Sequence, residues 1–417
     1  MEFLSIEPLD VFCGRGNKLF GEAGSFGSVG MPPWPSVFAG AIRSRILADK
    51  KIAPVDLLLG NISKGIASVL GKGVPTGRTL ESGDLEYAVR AGDFRISWVG
   101  LEREDEPLIQ APADLVAFDL YGAHQEEGDQ TKMNLLSPGV LPKEVSSSYP
   151  LPMHPILRER GMGKLRRNLW ISACALEAYL NGEAIEERNV LSDEALWTVE
   201  ERVGIGMDPK ARTVETGKLF TTEAIRLLPG VSFLVGVEGA GELLPKEGLL
   251  RLGGDGKGAV VRLFSGKKPN LHVDLKAIAS KGRFKLVLLT PGLFANGWLP
   301  FGVNPDDFSL KWSAQGKRMT ARLVAASLGR WEVVSGWDLA REQPKKAQRI
   351  VPAGGVYWLD ETEGDVAEVL ELIAKGGLWE VARELWDRDT NDEPVLLWRE
   401  RRSEGFNNVL IGLWTRS

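Results

Sequence analysis

The chain has 417 residues, 43% of them apolar and 26% charged, with a formal net charge of −5 at pH 7. That length allows two or three domains, and the composition is that of a soluble globular protein. The acidic balance excludes coating of nucleic acid by bulk attraction, so any such contact needs a local basic patch.

Residues 2–10 alternate, with Leu4 and Ile6 on one face and Ser5 and Glu7 on the other, which predicts a strand ending at Pro8. The same acidic stretch shows no signal-peptide pattern and no apolar run is long enough to span a membrane, which predicts a cytoplasmic protein. A long loop follows with Gly14, Gly16, Gly21, Gly24, Gly27 and Gly30, then Pro32-Pro33-Trp34-Pro35. Ser36 is a candidate N-cap for a helix with Phe38, Ile42 and Ile46 on one face. Residues 60–165 are rich in Gly, Pro and polar residues and read as inserted segments and loops, partly disordered or held by partners.

Leu169, Ala173, Leu176 and Leu180 predict a helix over 169–180 that stops at Asn181-Gly182. Residues 214–228 and 231–237 read as strands joined by Pro229-Gly230. Further strands are expected at 259–264, 283–290, 331–334, 356–359 and 409–414, the second of these opening a new half. Val366, Val369, Leu370 and Ile373 mark a helix ended by Gly376-Gly377. Strands and helices mix without regular βαβ alternation, so the expected class is α+β.

A glycine-rich turn before a short apolar strand occurs twice. Arg251-Leu252-Gly253-Gly254-Asp255-Gly256-Lys257-Gly258 precedes 259–264, and Glu404-Gly405-Phe406-Asn407-Asn408 precedes 409–414. Gly, and less freely Asn, accepts positive φ, so such turns can turn several backbone N–H groups toward a phosphate. Two copies point to two related halves using one device; two ordinary tight turns are the structural alternative.

Catalytic signatures are missing from the sequence. No Gly-Lys pair precedes Ser or Thr, Gly14-Arg15-Gly16 and Gly204-Ile205-Gly206 lack the third glycine of a dinucleotide loop, and there is no Gly-x-Ser-x-Gly elbow. Cys13 and Cys174 are the only cysteines, too few for a disulfide framework or a zinc ribbon. His124, His154 and His272 have no metal-ligand spacing; His154, beside a basic stretch, is the candidate general base of a metal-independent ribonuclease, or else a loop residue or RNA contact. Asp306-Asp307 and Glu361 with Glu363 are acidic pairs that normally face solvent. Basic residues cluster at Arg158, Arg160, Lys164, Arg166 and Arg167, at Lys317, Arg318 and Arg322, and at Lys345, Lys346 and Arg349; each cluster is a positive groove or a solvated charged face.

Several segments together resemble the RAMP family of type III CRISPR systems, in particular the third-subunit family of the Cmr (type III-B) RNA-targeting complex. They are Glu7-Pro8-Leu9-Asp10, Gly14-Arg15-Gly16, Pro32-Pro33-Trp34-Pro35-Ser36-Val37-Phe38, Glu201-Arg202-Val203-Gly204-Ile205, Arg212-Thr213-Val214-Glu215-Thr216-Gly217 and Arg251-Leu252-Gly253-Gly254. The second half adds Thr290-Pro291-Gly292-Leu293-Phe294, Gly297-Trp298-Leu299-Pro300, Ser335-Gly336-Trp337-Asp338-Leu339, and Arg349-Ile350-Val351-Pro352-Ala353-Gly354-Gly355. The resemblance is weak over 60–165. The first loop lacks the family's proline before its aromatic, and Asn407 stands where the C-terminal loop usually has glycine.

This resemblance implies two ferredoxin-like, RRM-related domains with long inserted loops, at 1–270 (insertion at about 60–165) and 271–417. It implies a non-catalytic subunit in antiviral defence, without cofactor or metal. That subunit holds the 5′ tag of the crRNA, docks on the large polymerase/cyclase-like subunit and contacts the adjacent backbone RAMP subunit. Arg15, Lys18, Arg43, Lys257, Lys345 and Arg349 would supply charge, and Gly14, Gly16, Gly253, Gly254 and Gly256 close backbone approach. Trp337 would stack on a base or pack in the core, and the many tryptophans with the 60–165 segment suit surface buried against partners. The alternatives are a metal-independent RAMP endoribonuclease that processes repeat RNA, and a protein scaffold without RNA contact.

Overall fold

The computed structural model describes residues 1–14, 26–27, 30–79, 85–120, 131–158, 163–166, 168–207, 213–254, 256–388 and 390–415. They form a mixed α/β protein with two compact units, each assembled from separate stretches of chain. The first unit comprises Met1–Asp105, Asp193–Lys267 and Val333–Ala347; the second comprises Glu106–Ser192, Lys268–Glu332 and Gln348–Ser417.

The antiparallel sheet of the first unit runs in the order Arg95–Arg103, Val231–Glu238, Glu2–Pro8, Gly258–Leu263, Glu247–Arg251. The expected first strand forms, with Leu4 opposite Val235 and Leu263, and Ile6 opposite Phe233 and Val261. Its alternation is not simply in and out: Ser5 is buried too, because its hydroxyl donates to the Glu102 carboxylate at 2.6 Å. Helix Pro35–Asp49 buries Phe38, Ile42 and Ile46 completely. Each such side chain contributes about 1.5–3 kcal/mol of burial. Phe38 meets Phe233 edge-on at 5.3 Å between ring centres, which ties the helix to the middle of the sheet. Ser36 is not the cap. Trp34 holds the extended N-cap position and Pro35 begins the helix, where its missing N–H leaves no bond unmade.

The unit also carries a long antiparallel ladder, Trp197–Met207 against Val214–Leu227, with Phe26–Gly27 added parallel to the second strand. The second of these strands and the next, Val231–Glu238, are the expected pair, but each pairs with other strands. Phe12 fastens the ladder, exchanging hydrogen bonds with Ile225 at 2.7 and 2.9 Å.

In the second unit the sheet order is Ser309–Ala314, Lys317–Ser327, Val356–Gly364, Phe284–Leu288, Val409–Gly412. Helix Val366–Gly376 buries Val366, Val369, Leu370 and Ile373 as its spacing predicts. Gly377 ends it at φ +72, where a Cβ would lie 2.6 Å from the Asn407 carbonyl oxygen. Trp312 and Trp379 are fully buried and donate to the carbonyls of Phe301 and Phe406 at 2.6 and 2.5 Å.

Two expectations fail for identifiable reasons. The stretch 60–165 is not mainly loop in its described residues. It contributes helix Lys64–Leu70, the paired strands Lys72–Thr79 and Leu85–Arg90, the largely buried strand Arg95–Arg103, and the strands Glu106–Gln110 and Leu115–Leu120. Arg95–Arg103 also takes a partner distant in sequence, with Val99 opposite Val235, and no local period announces that pairing. The expected helix over 169–180 starts only at Ala173. Leu169–Ser172 is a strand paired on both sides, and Ser172 ends it by accepting from the Ala175 N–H at 3.3 Å.

Candidate nucleic-acid interface

The two glycine turns prove to be different structures. The first is a β-hairpin turn between Glu247–Arg251 and Gly258–Leu263. Gly253 sits at φ +73 over the Cys13 carbonyl, so close that a Cβ would come within 2.4 Å of that oxygen, and the Gly254 N–H donates to the same oxygen at 2.6 Å. The turn is therefore clamped onto Cys13, the residue before Gly14. Leu252 donates to Lys257 and Lys257 to Gly254. Three amides of the turn thus serve the fold, and side-chain cations supply the charge at this place.

The second turn is a helix terminus. Gly405, at φ +98, caps helix Glu393–Glu404, and the chain then passes through Asn407 into strand Val409–Gly412. Phe406 and Asn407 are wholly buried. The Asn407 side chain accepts from the Leu293 N–H at 2.5 Å and donates to the Leu293 carbonyl at 3.0 Å. Asn at this position is a bridge in the core.

At the foot of the first hairpin lies a charge cluster of which only Lys257 was an expected contact. Asp10 accepts from Arg226 Nη2 at 2.9 Å and from Arg202 Nη2 at 3.1 Å, with Lys257 Nζ at 3.8 Å. Glu200 accepts from Arg226 Nε and, at 3.2 Å, from Arg202 Nη2. The hydrogen bonds from Arg202 and then Arg226 hold the Asp10 carboxyl below the ordinary carboxylate range; Arg226 and then Arg202 do the same for Glu200. Glu200, Arg202 and Arg226 project from one side of the ladder, while Val199, Val203, Ile205 and Met207 are exposed on the other. Their period of two along Trp197–Met207 was the available signal, but only the tertiary fold brings Asp10 and Lys257 to them.

The remaining expected residues fall elsewhere. Arg15, Gly16 and Lys18 lie outside the described residues. Gly256 stands at the hairpin tip at φ +63 with open space where a Cβ would be. Arg43 lies over the Phe94 ring at 5.0 Å. Trp337 is 56% exposed on a small hairpin of the first unit, opposite Pro344, and Lys345 follows with its N–H on the Gly336 carbonyl at 2.9 Å. The Arg341 guanidinium fastens this hairpin to the Tyr87 carbonyl. Arg349 belongs to the second unit and lies over the exposed Trp331 ring at 4.9 Å.

Of the basic clusters, the one at Lys317 is a solvated charged face: the ammonium is 3.4 Å from Glu368 and 3.7 Å from Asp365. His154 has its Nε2 within 2.9 Å of Ser147 Oγ and its ring against Tyr149; His124 lies outside the described residues. Among the described residues no group of three or more His, Cys, Asp or Glu could hold a metal ion, and no helix is long and apolar enough to cross a membrane.

Residues 4–414 match the family model described as CRISPR-associated protein (Cas_Cmr3). No curated protein matches the chain. Among solved structures, a chain of the type III-B Cmr-beta complex bound to cognate target RNA and AMPPnP aligns with 98% of this chain and 96% of its own length, at 12% identity and a TM-score of 0.50. A chain of Cmr-beta bound to cognate target RNA gives the same coverages and identity with a TM-score of 0.49. A chain of the Csm3–Csm4 subcomplex of the type III-A interference complex aligns at 12% identity over 86% of this chain and 92% of that one, with a TM-score of 0.33.

Proposed function

Since the chain belongs to the Cas_Cmr3 family of CRISPR-associated proteins, we propose that it is a guide-RNA-binding structural subunit of a type III-B CRISPR effector complex. In this reading it fixes the 5′ tag of the crRNA, docks on the large polymerase/cyclase-like subunit and abuts a backbone RAMP subunit, without chemistry of its own. The observation that carries the reading is the convergence, in a chain of net charge −5, of Gly14, the clamped glycine hairpin and the cations Arg202, Arg226 and Lys257. Such a local basic site suits a single-stranded RNA end, whose phosphates take guanidinium forks and whose splayed bases need stacking surfaces like the exposed Trp337.

The fold is consistent with two ferredoxin-like halves, 1–270 and 271–417. In each sheet the third main strand lies between the second and the first, and the last flanks the first from the other side. A helix follows the first strand in one half and the third in the other. The strand order, with one of the two expected helices in each half, supports the ferredoxin-like reading.

The experiment is to incubate the purified chain with repeat RNA in EDTA and, separately, to measure the affinity of the assembled complex for tagged and untagged guide RNA. The expected result is intact repeat RNA and tighter binding of the tagged guide. Specific cleavage abolished by His154→Ala would instead establish a metal-independent endoribonuclease, and equal affinity for both guides would remove the tag-holding role.

A further inference from the structure

The foot of the glycine hairpin already holds an anion. Asp10 offers its two carboxylate oxygens to separate cations: Oδ1 takes Arg226, and Oδ2 takes Arg202 with Lys257 beside it. Glu200 braces both arginines from behind. Three cations thus share two carboxylates. The five side chains are 32–46% exposed, so a ligand in solution reaches them.

Two guanidinium forks and an ammonium converging on one anion also match a phosphodiester, whose non-bridging oxygens accept the same hydrogen bonds. An exposed carboxylate held this way contributes little to stability and is screened by salt, so an anion with more acceptors displaces it readily. The backbone on either side of Asp10 is held, Leu9 N–H on the Gly258 carbonyl at 3.0 Å and Phe12 N–H on the Ile225 carbonyl at 2.7 Å, so the exchange needs only the exposed Asp10 side chain to rotate. Asp10 lies just beyond the last residue of strand Glu2–Pro8, while Arg202 and Arg226 are fixed by the paired ladder and by Glu200. The arginines therefore keep their places when Asp10 lets go.

Building on the guide-RNA reading above, we propose that Asp10 is an internal surrogate for an RNA phosphate. In the RNA-free chain it holds Arg202, Arg226 and Lys257 together, and a phosphodiester of the single-stranded guide takes its place against the two arginines on binding. Asp10 thereby competes with RNA, and Arg202 and Arg226 become RNA contacts.

The signature is a pair of opposite effects, read by fluorescence anisotropy of a tagged single-stranded RNA on the full chain over a salt series. Asp10→Asn removes the competitor and tightens binding severalfold at low salt. Arg226→Gln weakens it about tenfold, the loss of one charge-assisted contact, and lowers the slope of log affinity against log salt by about 0.7. A purely structural cluster would lose affinity with both substitutions. Weakening by Asp10→Asn, or no change with Arg226→Gln, overturns the proposal. If circular dichroism shows Asp10→Asn unfolded, Asp10→Ser, which removes the same carboxylate, serves instead: binding must tighten, and weakened or unchanged binding overturns the proposal. AMP displacing the RNA at equal phosphate concentration would assign the cradle to a free nucleotide and overturn it as well. Wild-type protein that binds tagged RNA no better than untagged removes the guide reading itself; tag-selective wild-type binding without the opposite effects removes only the surrogate.

Discussion

Asn407 is left-handed at φ +64, wholly buried, and satisfies both backbone groups of Leu293. Asn407→Ala strands a buried N–H and C=O and places an alanine in a strained conformation. We expect a loss of about 2–4 kcal/mol, read by chemical denaturation, with the RNA affinity of the folded fraction unchanged. The sequence showed that Asn replaces a glycine here, but the partner that makes Asn useful lies 114 positions away. Lys285 poses a different problem. It is enclosed against the Tyr179 ring at 3.2 Å, with Asp114 at 3.9 Å, and Tyr179 donates to Asp114 at 2.7 Å. Burial pushes the ammonium down to about 8 from 10.5, with Asp114 opposing, and burial pushes the Tyr179 phenol well up. Between about pH 8 and 10 the unfolded chain therefore holds the proton that the native Lys285 releases. Stability should rise across that window by at most about 1.4 kcal/mol per pH unit. Denaturation of the double variant Lys285→Met/Asp114→Asn should lose this rise, whereas Lys285→Met alone, which leaves a buried acid uncompensated, should cost about 3–5 kcal/mol.

At the scale of elements, legibility followed the source of the signal. Helix Val366–Gly376 and strand Glu2–Pro8 carry their own period and could be read directly. Strand Leu169–Ser172 could not, because its leucine and aromatic residues fit a helical spacing and only Glu106–Gln110 and Val190–Ser192 make it a strand. The two glycine turns looked alike because glycine marks a helix end and a hairpin equally well. Their clamp gives a graded test. Gly253→Ala drives a Cβ to 2.4 Å from the Cys13 carbonyl and must shift Cys13 or the turn, while Gly256→Ala meets open space and bears only the left-handed strain. Gly256→Ala should cost about 1–2 kcal/mol, Gly253→Ala more, and only Gly253→Ala should weaken RNA binding. The hairpin bearing Trp337 offers the converse case: the ring is 56% exposed, so Trp337→Ala should leave the thermal midpoint nearly unchanged. It should weaken binding of single-stranded RNA by about 1–3 kcal/mol if a base stacks there.

Across the whole molecule, family membership was written in dispersed motifs such as Ser335-Gly336-Trp337-Asp338 and Arg349-Ile350-Val351-Pro352, whereas the site was legible only in part. Gly14, Gly253, Gly254 and Lys257 were legible as candidates, but their meeting point and the residues that charge it, Arg202, Arg226 and Asp10, emerge from pairings between distant positions, such as Asp10 with Arg226, 216 positions away. A site assembled by tertiary contact leaves no local spacing to detect. Crosslinking tests the proposal that this chain holds the 5′ tag of a guide RNA. The assembled effector complex is loaded with a guide carrying a photoreactive nucleotide in the tag, irradiated, and the crosslinked peptides are sequenced. Crosslinks are expected to this chain in the peptides that carry Gly14, Gly253 to Lys257 or Arg226, lost when the photoreactive nucleotide is moved to the 3′ end. Crosslinks confined to other subunits, with this chain unlabelled, would contradict it.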